Sequence, residues 1–321
     1  MLINILLLIF GFIILIKGAD FFVDGASATA EHLNVSKILI GLTIVAFGTS
    51  APELAISLNA LASGSTDMLL GNVIGSNIMN ILLILGIAAV IHPVTIKNNT
   101  VKKELPLTML ISTLLAVLFL DIKLDNGPIN SISRSDAIVI LLFFTIFLYY
   151  LIALARRKRE EEEENSKQKT KIMSIWKAIF LVIVGLTGVI IGSDLVVECA
   201  KDIAFAIGIS ERLISLTIIA FGTSLPELIT TIVSSKKGEQ DLLIGNIIGS
   251  NIFNICIVLG IPVAIYGSIT PSSFQIIDII ALVASSIALF IFSESSRRIT
   301  KAEGILMLMS FAVYYTLVFV M

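Results

Sequence analysis

Two glutamates stand where carboxylates are costly. Glu53 and Glu227 each lie near the middle of a long apolar run, one residue past a proline. The segments are Ala46-Phe47-Gly48-Thr49-Ser50-Ala51-Pro52-Glu53-Leu54 and Ala220-Phe221-Gly222-Thr223-Ser224-Leu225-Pro226-Glu227-Leu228. An acidic side chain at the centre of a bilayer costs about 2.5–3.5 kcal/mol on insertion scales. Neither run places a Lys or Arg close to its glutamate, so a bound cation is the natural compensation. The plainer alternative, two carboxylic acids kept neutral by burial, is weakened by their recurrence at equivalent positions.

The neighbouring residues extend this oxygen chemistry. Thr49 precedes Glu53 by four residues and Ser50 by three, so both share its helix face, and Thr223 and Ser224 repeat the spacing before Glu227. A second block follows in each half, Gly71-Asn72-Val73-Ile74-Gly75-Ser76-Asn77-Ile78-Met79-Asn80 and Gly245-Asn246-Ile247-Ile248-Gly249-Ser250-Asn251-Ile252-Phe253-Asn254. It sets Ser76 four residues before Asn80 and Ser250 four before Asn254. The set holds hydroxyls, carboxylates and amides, with no His or Cys. Such an inventory suits hard cations, notably Ca2+ with its six to eight flexible oxygen ligands, and argues against Zn2+ or Cu2+.

The prolines say how the backbone joins in. Pro52 cannot donate to the carbonyl of Gly48, nor Pro226 to that of Gly222, so each helix should break there. Gly-Thr-Ser lets the chain unwind and turn carbonyl oxygens inward, which lipid tolerates only where a cavity or an ion satisfies them. Gly71, Gly75, Gly245 and Gly249 form small-xxx-small pairs. These fit close helix packing as well as a ligand role for the adjacent backbone. Asn72, Asn77, Asn246 and Asn251 are expected to make interhelical hydrogen bonds, and Asp20 and Asp194 to cap helix ends.

The elements that carry these residues are membrane helices. Of 321 residues, 56% are hydrophobic and 14% charged, against roughly a quarter charged in soluble domains. We read an all-α membrane protein with spans near 2–23, 38–62, 68–91, 104–120, 137–155, 175–197, 213–234, 242–266, 274–292 and 303–320. With the N-terminus outside, 17 of the 22 basic residues fall in inward loops, four in outward loops and Lys17 in the first span. The positive-inside rule then places both termini outside. The apolar start followed by Ala26-Ser27-Ala28 could pass for a signal peptide; no basic residue precedes it and a similar segment recurs at 178–202, so a retained first helix is expected. Cys199 and Cys256 are isolated and imply neither a disulfide nor a metal pair.

The chain is written twice. Residues 41–87 align with 215–261 without a gap, 26 of 47 positions being identical, and the same shift of 174 pairs Gly18 and Asp20 with Gly192 and Asp194. Each copy therefore spans five helices. An odd number forces successive copies to enter the membrane from opposite sides, giving two inverted five-helix repeats, 1–155 and 175–321, and ten transmembrane helices. The charged segment 156–174, with five consecutive glutamates from Glu160 to Glu164, reads as a solvated cytoplasmic linker.

Gly-Thr-Ser-x-Pro-Glu followed by Gly-Asn-x-x-Gly-Ser-Asn-x-x-Asn, in both halves, resembles the two alpha-repeats of the cation/Ca2+ exchanger superfamily, and most closely its prokaryotic sodium/calcium exchangers. The resemblance implies a Na+/Ca2+ antiporter with ion sites clustered at mid-membrane. By motif position it implies Ca2+ ligands at Glu53 and Glu227 with the backbone oxygens of Thr49 and Thr223. Na+ ligands would add Ala46, Ser50, Ser76, Ala220, Ser224 and Ser250, with Asn80 and Asn254 completing the central position. Several branches of the family, including potassium-dependent members, place Asp where this chain has Asn254, which argues against K+ cotransport. The partners expected are Ca2+, Na+ and the lipid bilayer, with no cofactor, no nucleic acid and a functional monomer.

Three other functions fit less of the sequence. A Ca2+/H+ exchanger would discharge the same glutamates with protons, and a cation channel would need no counter-ion. An intramembrane protease could use Ser50, Ser224, Asp20 or Asp194, but His32 and His92 fall in expected loops, so a Ser-His pair is not indicated.

Overall fold

The structure is a computed structural model, and the described residues are 2–124, 129–164, 173–208, 220–271 and 276–320. Side chains at 124, 157–164, 220, 319 and 320 also lie outside the description. The helices are α1 (Leu2–His32), α2 (Lys37–Thr49), α3 (Ala51–Ala62), α4 (Thr66–Ile91), α5 (Leu105–Phe119), α6 (Arg134–Glu164), α7 (Ile175–Ala206), α8 (Ala220–Thr223), α9 (Leu225–Lys236), α10 (Gln240–Tyr266), α11 (Ile276–Ser296) and α12 (Lys301–Val320). Among the described residues, seven of these are long and apolar enough to cross a membrane, namely α1, α4, α6, α7, α10, α11 and α12. The pair α2 and α3 passes the same test with a 45° bend between its members.

The remaining expected spans are shorter. Helix α5 covers 15 residues and is extended by a π-helical turn at Thr100–Glu104. Of the span read at 213–234, residues 213–219 lie outside the described residues, as do 165–172 of the linker; α8 and α9 carry the rest. Helix α1 runs nine residues past its expected end at 23, to His32, because Gly25, Ala26, Ala28, Thr29 and Ala30 are buried on its inner face. It stops where Asn34 takes a left-handed conformation, φ 53°, that Asn tolerates better than most residues.

Contacts divide the chain into two compact units, Met1–Pro52 with Ala153–Asn246, and Glu53–Ile152 with Ile247–Met321. Each unit draws on both sequence repeats. In the first, α1 and α7 pack backbone to backbone. A Cβ placed on Gly185 would lie 2.3 Å from the Phe22 nitrogen, and one on Gly18 would lie 2.6 Å from the Val189 nitrogen. Without a strong hydrophobic drive between helices in lipid, such small-residue faces hold them together by close contact. Around this seam Leu15, Ala19, Phe22, Val23, Ala26 and Val189 form a buried cluster, with Ile229 and Val233 of α9 packed on it.

In the second unit, α4 packs on α12, with Gly86 against the Gly304 carbonyl, and α5 packs on α11. Two capping boxes start the closing helices. The Ser133 backbone N–H and hydroxyl donate to the Asp136 carboxylate at 2.8 and 2.7 Å, ahead of α6, and Thr300 does the same to Glu303 at 2.7 Å for both, ahead of α12. Two small strand contacts link the loops, β1 (Val94–Thr95) with β2 (Arg298–Ile299), and a single bridge from Ile132 to Ile269. The helices bearing the second motif block are the most buried spans, with 72% of the apolar window of α4 and 89% of that of α10 enclosed.

Candidate ion-binding site

Both helices break at the serine of the Gly-Thr-Ser segment expected to unwind. Ser50 separates α2 from α3 with φ −89° and ψ 5°, and Ser224 separates α8 from α9 with φ −90° and ψ 6°. The two copies thus adopt the same bridge-region backbone, a sparsely allowed conformation common in functional sites. In each, the proline occupies the second position of the new helix, where its missing N–H costs no hydrogen bond. The glutamate follows in the first turn, where the helix dipole favours negative charge.

In the first unit, the structure joins residues from opposite motif copies. The Ser50 hydroxyl donates to Glu227 Oε1 at 3.1 Å, and both side chains are buried, Glu227 to 1% exposure. The Thr49 hydroxyl lies 3.1 Å from Asn246 Oδ1 and 3.1 Å from the Val45 carbonyl oxygen. Ala46 is buried beside it. Thr223 is half-buried, and Ser224 Oγ is buried with no hydrogen-bond partner among the described residues. Ala220 opens α8, its side chain lying outside the description.

In the second unit, Glu53 is again buried to 1% exposure. Asn72 Nδ2 donates to the Glu53 carbonyl oxygen at 3.0 Å and to Ser57 Oγ at 2.9 Å, tying α4 to α3. Ser76 and Ser250 are buried. Asn80 and Asn254 sit on π-helical turns, Met79–Leu85 in α4 and Asn254–Leu259 in α10, at corresponding places in the two repeats. Such turns widen the helix and often mark functional positions. Asn80 Nδ2 donates to Asn251 Oδ1 at 3.1 Å, while Asn80 Oδ1 and both amide atoms of Asn254 have no hydrogen-bond partner among the described residues.

Other motif residues divide more plainly. Asn72, Asn246 and Asn251 make interhelical contacts as anticipated, whereas Asn77 donates within its own helix, to the Val73 carbonyl oxygen at 2.7 Å. Gly245 packs closely, since an added Cβ would meet the Ile38 carbonyl oxygen at 2.7 Å; Gly75 does not, with no atom within 4 Å. Among the described residues, Asp20 and Asp194 cap no helix end. Each lies inside a helix that continues well beyond it, and Asp20 faces Lys237 at 3.5 Å.

Sequence reasoning passed over Glu104, which is buried at the head of α5 and accepts a hydrogen bond from the Tyr150 hydroxyl. Asp278, the residue 174 positions later, accepts from Tyr314 at 2.9 Å. The shared shift was the available signal, but no motif surrounds either acid.

With this geometry in view, the family model described as "Sodium/calcium exchanger protein" matches residues 3–153 and 177–320. The chain belongs to this family. It is 38% identical to CaxA of Alkalimonas amylolytica, over 99% of each chain, and 30% identical to the sodium/calcium exchanger MaX1 of Methanosarcina acetivorans, again over 99% of each. A solved structure of the sodium-calcium exchanger NCX_Mj, soaked with 2.5 mM Na+ and 0.1 mM Ca2+, is similar with a TM-score of 0.82 at 33% identity, covering 97% of each chain. This member of the sodium/calcium exchanger family is therefore a multi-pass membrane protein of the cation/Ca2+ antiporter class, and the family consists of transporters rather than enzymes.

Proposed function

We propose that this exchanger moves Na+ and Ca2+ in opposite directions by alternating access, at a site built from both motif copies. Glu53 and Glu227 supply the charge, and Thr49 and Thr223 backbone oxygens complete the Ca2+ ligands. Ala46, Ser50, Ser76, Ala220, Ser224 and Ser250 serve Na+, with Asn80 and Asn254 at the central position. The proposal includes ten spans in two inverted repeats, 1–155 and 175–321, a cytoplasmic linker at 156–174 and both termini outside. The protein works as a monomer without a resident cofactor.

The observation that carries this reading is what the fold leaves polar inside. Asn254 Oδ1, Asn80 Oδ1 and Ser224 Oγ are buried oxygens with no hydrogen-bond partner among the described residues. An unsatisfied buried polar group costs about 1–3 kcal/mol. Oxygen ligands of a visiting cation account for that expense; a packed apolar core does not. The mirrored strand contacts add support for inverted repeats, because Ile269 of the single bridge lies 174 positions after Thr95 of β1.

Coupling follows from charge. Two carboxylates give the site a charge near −2, which one Ca2+ or more than one Na+ neutralises. Emptied, it leaves buried charge with a penalty of several kcal/mol per ion, so the empty protein should change its facing slowly and exchange outruns leak. The test is Ca2+ uptake into Na+-loaded vesicles containing the purified protein. Uptake should vanish in Glu53→Ala and in Glu227→Ala. Uptake unchanged in both variants rejects the site, and uptake driven by a pH gradient without Na+ replaces the counter-ion with protons.

A further inference from the structure

Helix α9 carries more than Glu227. Thr230, Thr231, Ser234 and Ser235 follow it at three, four, seven and eight residues, the spacing of one helix face. All four are buried, none above 2% exposure. The other face, with Ile229 and Val233, packs on the α1 cluster.

Buried hydroxyls in a helix ordinarily bond back to a carbonyl one turn earlier. This chain does so at Thr29, Thr43, Thr108, Thr113, Ser285 and Ser293. Thr230, Thr231 and Ser235 do not: their hydroxyl oxygens have no hydrogen-bond partner among the described residues. Each should carry a desolvation penalty unless something polar reaches it.

The first repeat provides an internal comparison. The positions 174 residues earlier are Ile56, Ser57, Ala60 and Leu61, so the polar face is not inherited from the duplication. Ser57, the one hydroxyl kept there, is satisfied by Asn72. Asn246, the counterpart of Asn72, is turned to Thr49 instead, which leaves Thr231 without the equivalent bond.

We propose that Thr230, Thr231 and Ser235 line the approach of the transported cations between Glu227 and the Lys236 end of α9. This rests on the reading that cations are carried past Glu227. A hard cation leaving water needs oxygen in place of its hydration shell, and neutral hydroxyls supply it without holding the ion as a carboxylate would. The Glu239 backbone N–H donates to the Ser234 carbonyl oxygen at 2.9 Å. Around this corner Lys37 is paired with Glu31 and Glu239, Lys237 with Asp20 and Asp24, and Lys17 with Asp20, while Lys236 closes the helix.

The experiment uses the full-length protein in right-side-out and inside-out membrane vesicles, with Ca2+ fluxes driven by Na+. Thr230→Val and Thr231→Val keep shape and remove the hydroxyl. Each should slow exchange by roughly three- to tenfold. The half-saturating Ca2+ concentration should rise on the Lys236 side and stay unchanged on the other, with equilibrium Ca2+ binding to the purified protein preserved. Thr230→Ser and Thr231→Ser should restore the rate, and Thr→Ala variants give the same readout if a valine variant fails to fold. Exchange at the unmutated rate in the double valine variant overturns the proposal, and so does loss of equilibrium Ca2+ binding, which would make the hydroxyls part of the site itself. Absence of Na+-driven Ca2+ flux in the unmutated protein instead refutes the functional reading, and is seen before any variant is made.

Discussion

The glycine seam between α1 and α7 gives a sharp stability prediction. In Gly185→Ala the new methyl would sit 2.3 Å from the Phe22 nitrogen, 2.6 Å from its Cα and 2.8 Å from the Gly18 carbonyl oxygen. All three are backbone atoms, so no side chain can rotate away. Reaching an ordinary contact near 3.4 Å requires a local separation of 3.4 − 2.3, or about 1.1 Å. Forced overpacking of this kind costs about 1–3 kcal/mol, and the gap opened along the seam loses dispersion contacts on both sides. Gly75→Ala is the matched control, because its methyl meets no atom within 4 Å and the exchange gains up to about 1 kcal/mol of helix propensity. Cys199 and Cys256 are buried free thiols, so a thiol-reactive dye reports unfolding directly during a thermal ramp in detergent. We expect Gly185→Ala to melt several degrees below the unmutated protein and Gly75→Ala to melt at or above it. Equal melting of Gly185→Ala and the unmutated protein, or a larger drop in Gly75→Ala, would refute the packing argument.

Two further predictions address charge. Tyr150→Phe removes the hydroxyl that donates to buried Glu104, and leaving a buried acceptor without its donor costs about 1–3 kcal/mol; the same dye assay should show a lower melting temperature, partly recovered by adding Glu104→Gln, and no drop would show that the pair is stabilised by other means. With Asn254 in place of an acid, Na+-driven Ca2+ uptake should be the same whether K+ or choline balances the medium, and a strict K+ requirement would contradict the reading of that position.

Much of this protein was legible in its sequence because the informative features are local. A proline inside an apolar run dictates a broken helix, and the structure breaks both helices at the serine two residues before it, Ser50 and Ser224. The apolar runs fix the membrane class, and the exact shift of 174 exposes the duplication before any coordinate is known. Asn72 and Asn246 could be read as interhelical donors or acceptors because a buried amide must find partners. Their choice of partner could not be read, and it differs between the copies.

Tertiary structure decided what joins distant elements. Spacing along the chain says that Ser50 shares a face with Glu53, yet its hydroxyl is spent on Glu227, 177 residues away. The small-residue pairs flagged in the second motif block proved unequal, Gly245 being packed and Gly75 open, while the tightest seam lies at Gly18 and Gly185, where no motif drew attention. The hydroxyls of α9 look like any polar stripe until the carbonyls one turn earlier are seen not to receive them. The physical reason is the same throughout. Periodicity and proline chemistry act over a few residues and are written in order along the chain, whereas packing and hydrogen bonding depend on which surfaces meet, and similar repeat sequences meet different neighbours.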